Sequence, residues 1–282
     1  MDRPTLFDLP ARMRAMRRAE AIGFADFLHQ AVAAEIEDRL KEVNRTFTTP
    51  AIHGAQAARW SAWLGLDATL VPEADVLDLS EGSHDLILSA LALHAANDPV
   101  GQLVQMRRAL KPDGLLLATL FGGETLSQLR SALAAAESAE TGGLAPRIAP
   151  MGELRDLGGL LQRAGLALPV ADAVPFTVTY DTPLKLMADL RAMGETNCMT
   201  QRHRGGLRRG VLMRAVETYI SDHAQADGRV PAQFDVVVLT GWAPAASQPK
   251  PLRPGSATTR LADALGTQET PAGEPAAPGR RD

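Results

Sequence analysis

Between Phe24 and Leu40 apolar residues recur at three- and four-residue steps, through Phe27, Leu28, Ala31, Val32 and Ile36, while Glu35, Asp38, Arg39 and Glu42 fall mainly between them. That period predicts an amphipathic helix, preceded by a shorter one that carries Arg12, Arg14, Arg17 and Arg18. Such a charge run reads as a solvated face before it reads as a docking surface for an acidic partner. From about residue 46 the pattern changes to short apolar runs separated by helix-length segments. Strands are expected at 68–71, 76–79, 85–90, 115–121 and 174–180, with a weaker first strand at 47–52 and a last one at 233–242. Helices are expected at 55–64, 99–110, 125–139 and 152–164, and two more, at 183–193 and 207–224, ahead of the last strand. Strands alternating with helices imply right-handed crossovers and a doubly wound, mainly parallel α/β sheet covered on both faces. Asp85-Leu86-Ile87-Leu88-Ser89-Ala90 is almost continuously apolar, as a central strand without a wet face must be. Lys111-Pro112-Asp113-Gly114 reads as the turn before the next strand.

The expected layout is an N-terminal helical extension over 1–45, an α/β core over 46–182, a helical insertion over 183–228 that caps the ligand face, and the last core strand over 229–245. A C-terminal extension over 246–282 follows, disordered from about 267, where large apolar residues run out. The 282 residues are 45% hydrophobic and 22% charged, enough for a full core. A net charge of −4 gives no general attraction for nucleic acid or anionic lipid. Cys198 is the only cysteine, which excludes an internal disulfide and a cysteine-built metal site. No apolar run reaches the length of a membrane span, and Met1 leads directly into Asp2-Arg3-Pro4. Neither a span nor a signal peptide is expected, and the reading is cytoplasmic.

Ligands of an open α/β sheet sit beyond the carboxyl ends of its strands. After the first strand comes Gly54, in His53-Gly54-Ala55, a single glycine where a nucleotide-binding turn has several. Glu73 follows the second strand, 19 residues after Gly54, near the offset at which an acid accepts hydrogen bonds from ribose hydroxyls; a surface glutamate beside Pro72 is the plainer alternative. Asp78-Leu79 offers a carboxylate or a backbone contact to an adenine edge, or else a turn. Ser89 ends the central strand, and His94 follows it at the ligand face. The polar break Gly194-Glu195-Thr196-Asn197-Cys198 overhangs the site, which makes Glu195 and Asn197 candidates for substrate or partner contact. Arg204 and Arg208 join them from the one dense basic cluster, which lacks the aromatic residues that nucleic-acid stacking uses. No catalytic residue stands out, and no His/Asp arrangement surrounds Cys198.

Several stretches together resemble the class I S-adenosylmethionine-dependent methyltransferases: Phe7-Asp8 with the arginines behind it, Asp85 to His94 with Asn97-Asp98, Leu110-Lys111-Pro112-Asp113-Gly114, Phe121-Gly122-Gly123-Glu124-Thr125-Leu126, Gly194 to Cys198, and Gly255-Ser256-Ala257-Thr258. The likeness is to the branches of the biotin-pathway carrier-protein O-methyltransferase and of the methyltransferase-like assembly factors of respiratory complex I. It spans about residues 7 to 265. It implies a seven-stranded Rossmann-like sheet and S-adenosylmethionine held by a glycine-rich loop after the first strand, an acid after the second and residues after the next two. It also implies a methyltransferase acting on a protein or small carboxylate acceptor, although the assembly-factor branch is associated with protein arginine hydroxylation. The alternative it implies is a non-catalytic assembly factor that docks on a complex I subunit. The chain departs from the family pattern at the reduced loop His53-Gly54-Ala55, and between Val71 and Val76 there is no room for the usual helix. Methyl transfer from a sulfonium depends on alignment more than on acid-base chemistry, so the absence of a catalytic dyad does not exclude it.

Overall fold

Asp8 accepts a hydrogen bond from the Ala11 amide (2.9 Å) and Pro10 stands in the first turn, which starts helix α1 (Leu9–Ile22). The computed structural model describes residues 5–249, 263 and 265–267. Gly255-Ser256-Ala257-Thr258 and the tail beyond 267 lie outside them. The chain divides into one unit over Met1–Ala246 and a second over Ser247–Asp282, and the fold that follows is that of the first.

After α1 come α2 (Phe27–Val43), β1 (Pro50–His53), α3 (Ala57–Leu64), β2 (Thr69–Val71), β3 (His84–Ser89), α4 (Pro99–Ala109) and β4 (Leu110–Gly122). They are followed by α5 (Ser127–Thr141), α6 (Leu154–Arg163), β5 (Ala167–Tyr180), α7 (Pro183–Ala192), α8 (Arg209–His223) and β6 (Val230–Trp242). The sheet runs β2-β1-β3-β4-β6-β5. Its first four strands are parallel, and β6 is antiparallel to both neighbours. One face is covered by α2, α3, α5, α7 and α8 through Val32, Trp60, Leu129, Leu186 and Tyr219; the other by α4 and α6 through Leu103, Met106 and Leu161. Strand order reverses around β1 and β3, so their carboxyl ends form the crevice where such sheets receive ligands.

The sheet has six strands where seven were expected, and the missing one is the strand at 76–79. Val76 is 79% exposed, so the pattern there is not that of a half-buried strand. Two side chains of α4 hold the segment instead. Gln102 Nε2 donates to Ala74 O (2.9 Å), Gln105 Nε2 donates to Asp75 O (3.1 Å), and Gln105 Oε1 accepts from Leu77 N (2.8 Å). Those bonds satisfy backbone groups that a neighbouring strand would otherwise pair. The turn expected at Lys111-Pro112-Asp113-Gly114 lies inside β4, opposite the register shift between His84 and Leu86.

At the end of β1 the Gly54 amide donates to Val71 O (3.0 Å), and the Ala90 amide donates to His53 O (2.8 Å). Gly54 has φ +139°, and a Cβ there would stand 2.8 Å from Ala90 O. The glycine is needed to let β1, β2 and the exit of β3 converge. Gly54→Ala is expected to lower the unfolding free energy by about 2–4 kcal/mol, seen as a lower urea midpoint. An unchanged midpoint would contradict this account of the crossing.

Candidate functional site

Arg12, Ala15, Met16 and Ala19 follow one another at three- and four-residue steps and form the buried stripe of α1. Arg12 is therefore only 2% exposed, whereas Arg14, Arg17 and Arg18 of the same run face solvent. A buried guanidinium needs carboxylate partners. Arg12 Nε donates to Glu73 Oε2 (3.1 Å) and Nη2 to Glu73 Oε1 (3.3 Å), a two-pronged bond just beyond β2. Its Nη1 donates to Glu195 Oε2 (2.8 Å), in the loop after α7. His94 Nε2, in the helical turn Leu93–Ala95 that follows β3, lies 3.2 Å from the same oxygen. One guanidinium thus joins α1, the end of β2 and the insertion loop, and the turn after β3 joins through Glu195.

The cluster of Arg12, Glu73 and Glu195 carries one more carboxylate than guanidinium, a net charge of −1. Burial alone would raise the Glu195 carboxyl; the Arg12 guanidinium, and then His94, outweigh it and hold it well below the usual carboxylate range. Glu195 Oε1 and His94 Nδ1 are buried and have no hydrogen-bond partner among the described residues. The His94 ring packs at 4.8 Å against Phe121.

Two cavities adjoin this cluster. The larger, about 260 Å³, opens beyond β3 and β4 and is lined by Phe121, Leu126, Leu129, Met187 and Phe234, with His94 and Glu195 in its wall. The smaller, about 20 Å³, lies among Leu9, His53, Glu73, Asp75 and Gln102 at the ends of β1 and β2.

The residues singled out from sequence fall into three groups. Glu73, His94 and Glu195 come together through Arg12, and Asn197 lines the larger cavity while donating from Nδ2 to Pro146 O (2.7 Å). Gly54 and Ser89 are built into the sheet: Ser89 is buried, with its Oγ 3.0 Å from His53 Nδ1. Asp78 is exposed and Leu79 packs on the α4 face, both outside the two cavities; Asp75, three residues before Asp78, lines the smaller one. Arg204 is exposed, and Arg208 borders a separate hollow with Glu137, Arg147 and His203. Cys198 is buried, which pushes its thiol up, away from reactivity. Arg12 is the residue that charge-run reasoning missed. The signal that finds it is its register with Ala15, Met16 and Ala19.

A nucleoside cofactor would need an acid just past β2, and Glu73 supplies one. The space does not fit: both Glu73 oxygens are engaged by Arg12, and about 20 Å³ remains where a ligand of that size requires roughly 300 Å³ or more. With α1 as it stands, the residues do not admit S-adenosylmethionine. Among the described residues no cluster of His, Cys, Asp and Glu could hold a metal ion, and no helix is long and apolar enough to cross a membrane.

Comparison with known proteins gives a consistent family. A methyltransferase-domain model matches residues 21–118. The chain is 33% identical to a Danio rerio protein named arginine-hydroxylase NDUFAF5, mitochondrial, over 84% of this chain and 82% of that one. It is 35% identical to a malonyl-[acyl-carrier protein] O-methyltransferase of Laribacter hongkongensis, over 67% of this chain and 61% of that one. A solved structure of phosphoethanolamine N-methyltransferase 2 from Haemonchus contortus with S-adenosyl-L-methionine aligns with a TM-score of 0.40 at 14% identity, covering 73% of this chain and 51% of that one. The cytoplasmic placement expected from the sequence is overturned here, since the Danio rerio relative is named as a mitochondrial protein.

Two buried histidines give the protein a pH signature. Burial holds His29, which accepts a hydrogen bond from Trp60 Nε1 (3.0 Å), and His53 at about 4, against an ordinary 6.5. As pH falls the unfolded chain takes up these protons first. Stability present above pH 6.5 is therefore lost between 6.5 and about 4, by about 3 kcal/mol per histidine. Urea midpoints are expected to be lower at pH 5 than at pH 7, with a smaller difference in His29→Gln. Equal midpoints at the two pH values would refute it.

Proposed function

The chain belongs to the class I S-adenosylmethionine-dependent methyltransferase family, and from that premise we propose that it acts on a basic side chain of a protein substrate received in the cavity beside Glu195. S-adenosylmethionine is the cofactor of this family, and when bound it supplies an activated methyl group. Glu73 is the residue we assign to its ribose, and it shares the groove with His53, Asp75 and Gln102.

The observation that carries the acceptor reading is the unpartnered Glu195 Oε1 in the wall of an apolar cavity, within a cluster of net charge −1. A ligand suited to it has an apolar stem and a cationic head with N–H donors. An arginine side chain has both: its methylenes match Leu126, Leu129 and Met187, and its guanidinium matches the free carboxylate oxygen. Arg12, Arg147 and Arg191 also line the cavity, so the selecting feature is the free Glu195 Oε1 and not the net charge of the wall. The names of the relatives divide the same way, one after arginine and the other after a malonyl group, and the free Oε1 of Glu195 favours the first.

The filled cofactor groove favours a second reading, in which the protein works as an assembly factor that captures a partner such as a respiratory complex I subunit without transferring a group.

Calorimetric titration with an unstructured peptide carrying one arginine tests the acceptor site. The arginine peptide is expected to bind, its glutamate counterpart not to bind, and Met187→Trp, which fills the cavity, to weaken binding at least about tenfold. Equal binding of the two peptides, or no effect of Met187→Trp, would sink the proposal. Label transfer from S-adenosylmethionine to the arginine peptide then separates an enzyme from a capture factor.

A further inference from the structure

We propose that α1 is the nucleoside groove's own occupant, Arg12 making on Glu73 the paired hydrogen bonds that a ribose diol would make, so that a nucleoside ligand enters only when α1 leaves. The geometry is that of a substitute ligand. Two donors of one planar group, Nε and Nη2, reach the two oxygens of one carboxylate at 3.1 and 3.3 Å, and vicinal hydroxyls present donors to an acid in the same paired way. Leu9, one turn before Arg12, stands in the wall of what remains of the groove. At the other end of α1, Glu20 accepts from Gln56 Nε2 (3.0 Å) and Arg59 Nη2 (2.7 Å), which covers the start of α3.

The means of release are also visible. Ahead of α1 the chain is fastened by a short strap rather than by a broad apolar face. Phe7 bridges to Met199, and Asn97 reads its backbone from both sides, accepting from Phe7 N (2.8 Å) and donating to Phe7 O (3.0 Å). The Asp8 amide donates to Cys198 O (2.8 Å), and Arg202 Nη2 donates to Asp8 Oδ2 (2.9 Å). The buried stripe of α1 is Ala15, Met16 and Ala19, and Phe7 with Ala11 adds a small apolar cluster on Cys198 and Met199, so docking combines a modest hydrophobic gain with polar contacts. If the closed state predominates, apparent affinity for a groove ligand falls by the fraction of molecules that are open.

This inference rests on Glu73 as the ribose acid, and its test keeps the two apart. The full-length wild type, Asp8→Asn and Arg202→Ala are titrated with S-adenosylhomocysteine, and amide hydrogen exchange of residues 6–22 is followed with and without that ligand. Neither substitution touches the groove. Both variants are expected to bind at least about tenfold more tightly than wild type, and ligand is expected to speed exchange along α1 in the wild type. Equal affinities, with α1 amides as protected or better protected when ligand is bound, would overturn the proposal and leave Glu73 as the ribose acid. Absence of binding in all three proteins, with α1 exchange faster in the variants, would overturn the ribose assignment and the proposal with it.

Discussion

A guanidinium taken out of water must be met by carboxylates, and at Arg12 two of them arrive from 61 and 183 residues away. Much else at the carboxyl end of the sheet follows from that requirement. The stretch after β2 is short and tied to α4 by glutamine side chains, which holds Glu73 in reach. The loop after α7 folds back over the crevice so that Glu195 can complete the pair, and His94 turns its Nε2 to the same oxygen. The cluster is one carboxylate in excess, and one oxygen of Glu195 is left free in the wall of the neighbouring cavity. A fold that elsewhere depends on Leu, Val and Ile is organised here by charge.

The same arrangement separates two roles that the crevice of a doubly wound sheet usually combines. Glu73 faces the remnant of the groove at β1 and β2, Glu195 faces the apolar cavity at β3 and β4, and Arg12 stands between them. Any change in α1 is therefore felt on both sides. The helical insertion contributes to one of them through Glu195 and Asn197, and its basic surface around Arg204 and Arg208 points to neither.

Hydrophobic period made most of the architecture legible, as at Leu86-Ile87-Leu88, but β5 begins at Ala167, seven residues before the strand expected at 174–180, where Pro169 and Asp172 break the apolar run. Residues 76–79 misled because Val-Leu-Asp-Leu carries strand propensity, while side-chain amides of α4, invisible to any local pattern, took over its backbone bonds. Position after a strand singled out Glu73 and His94, and the polar break singled out Glu195, three residues that the structure brings together at Arg12. Arg12 was obscured by its company. Four arginines in seven residues look like a wet face until they are set against the alanines that share a side with one of them. Which ionic groups meet across 183 residues is a tertiary fact that no window of sequence contains.

That span of 183 residues also bears on how the protein is made. On a ribosome moving at about 5–20 residues per second, Arg12 emerges roughly ten to forty seconds before Glu195. During that interval the first helix can find Glu73 but not its second anchor, and the strap at Phe7 has no Met199 to bridge. The crevice thus closes only after the parallel strands have been laid down, and β6, which brings Phe234 to the cavity wall, arrives later still. For that time its apolar wall is open to the cellular milieu, which makes the final third of translation the stage at which a chaperone, or an early-arriving ligand, has most influence over the finished molecule.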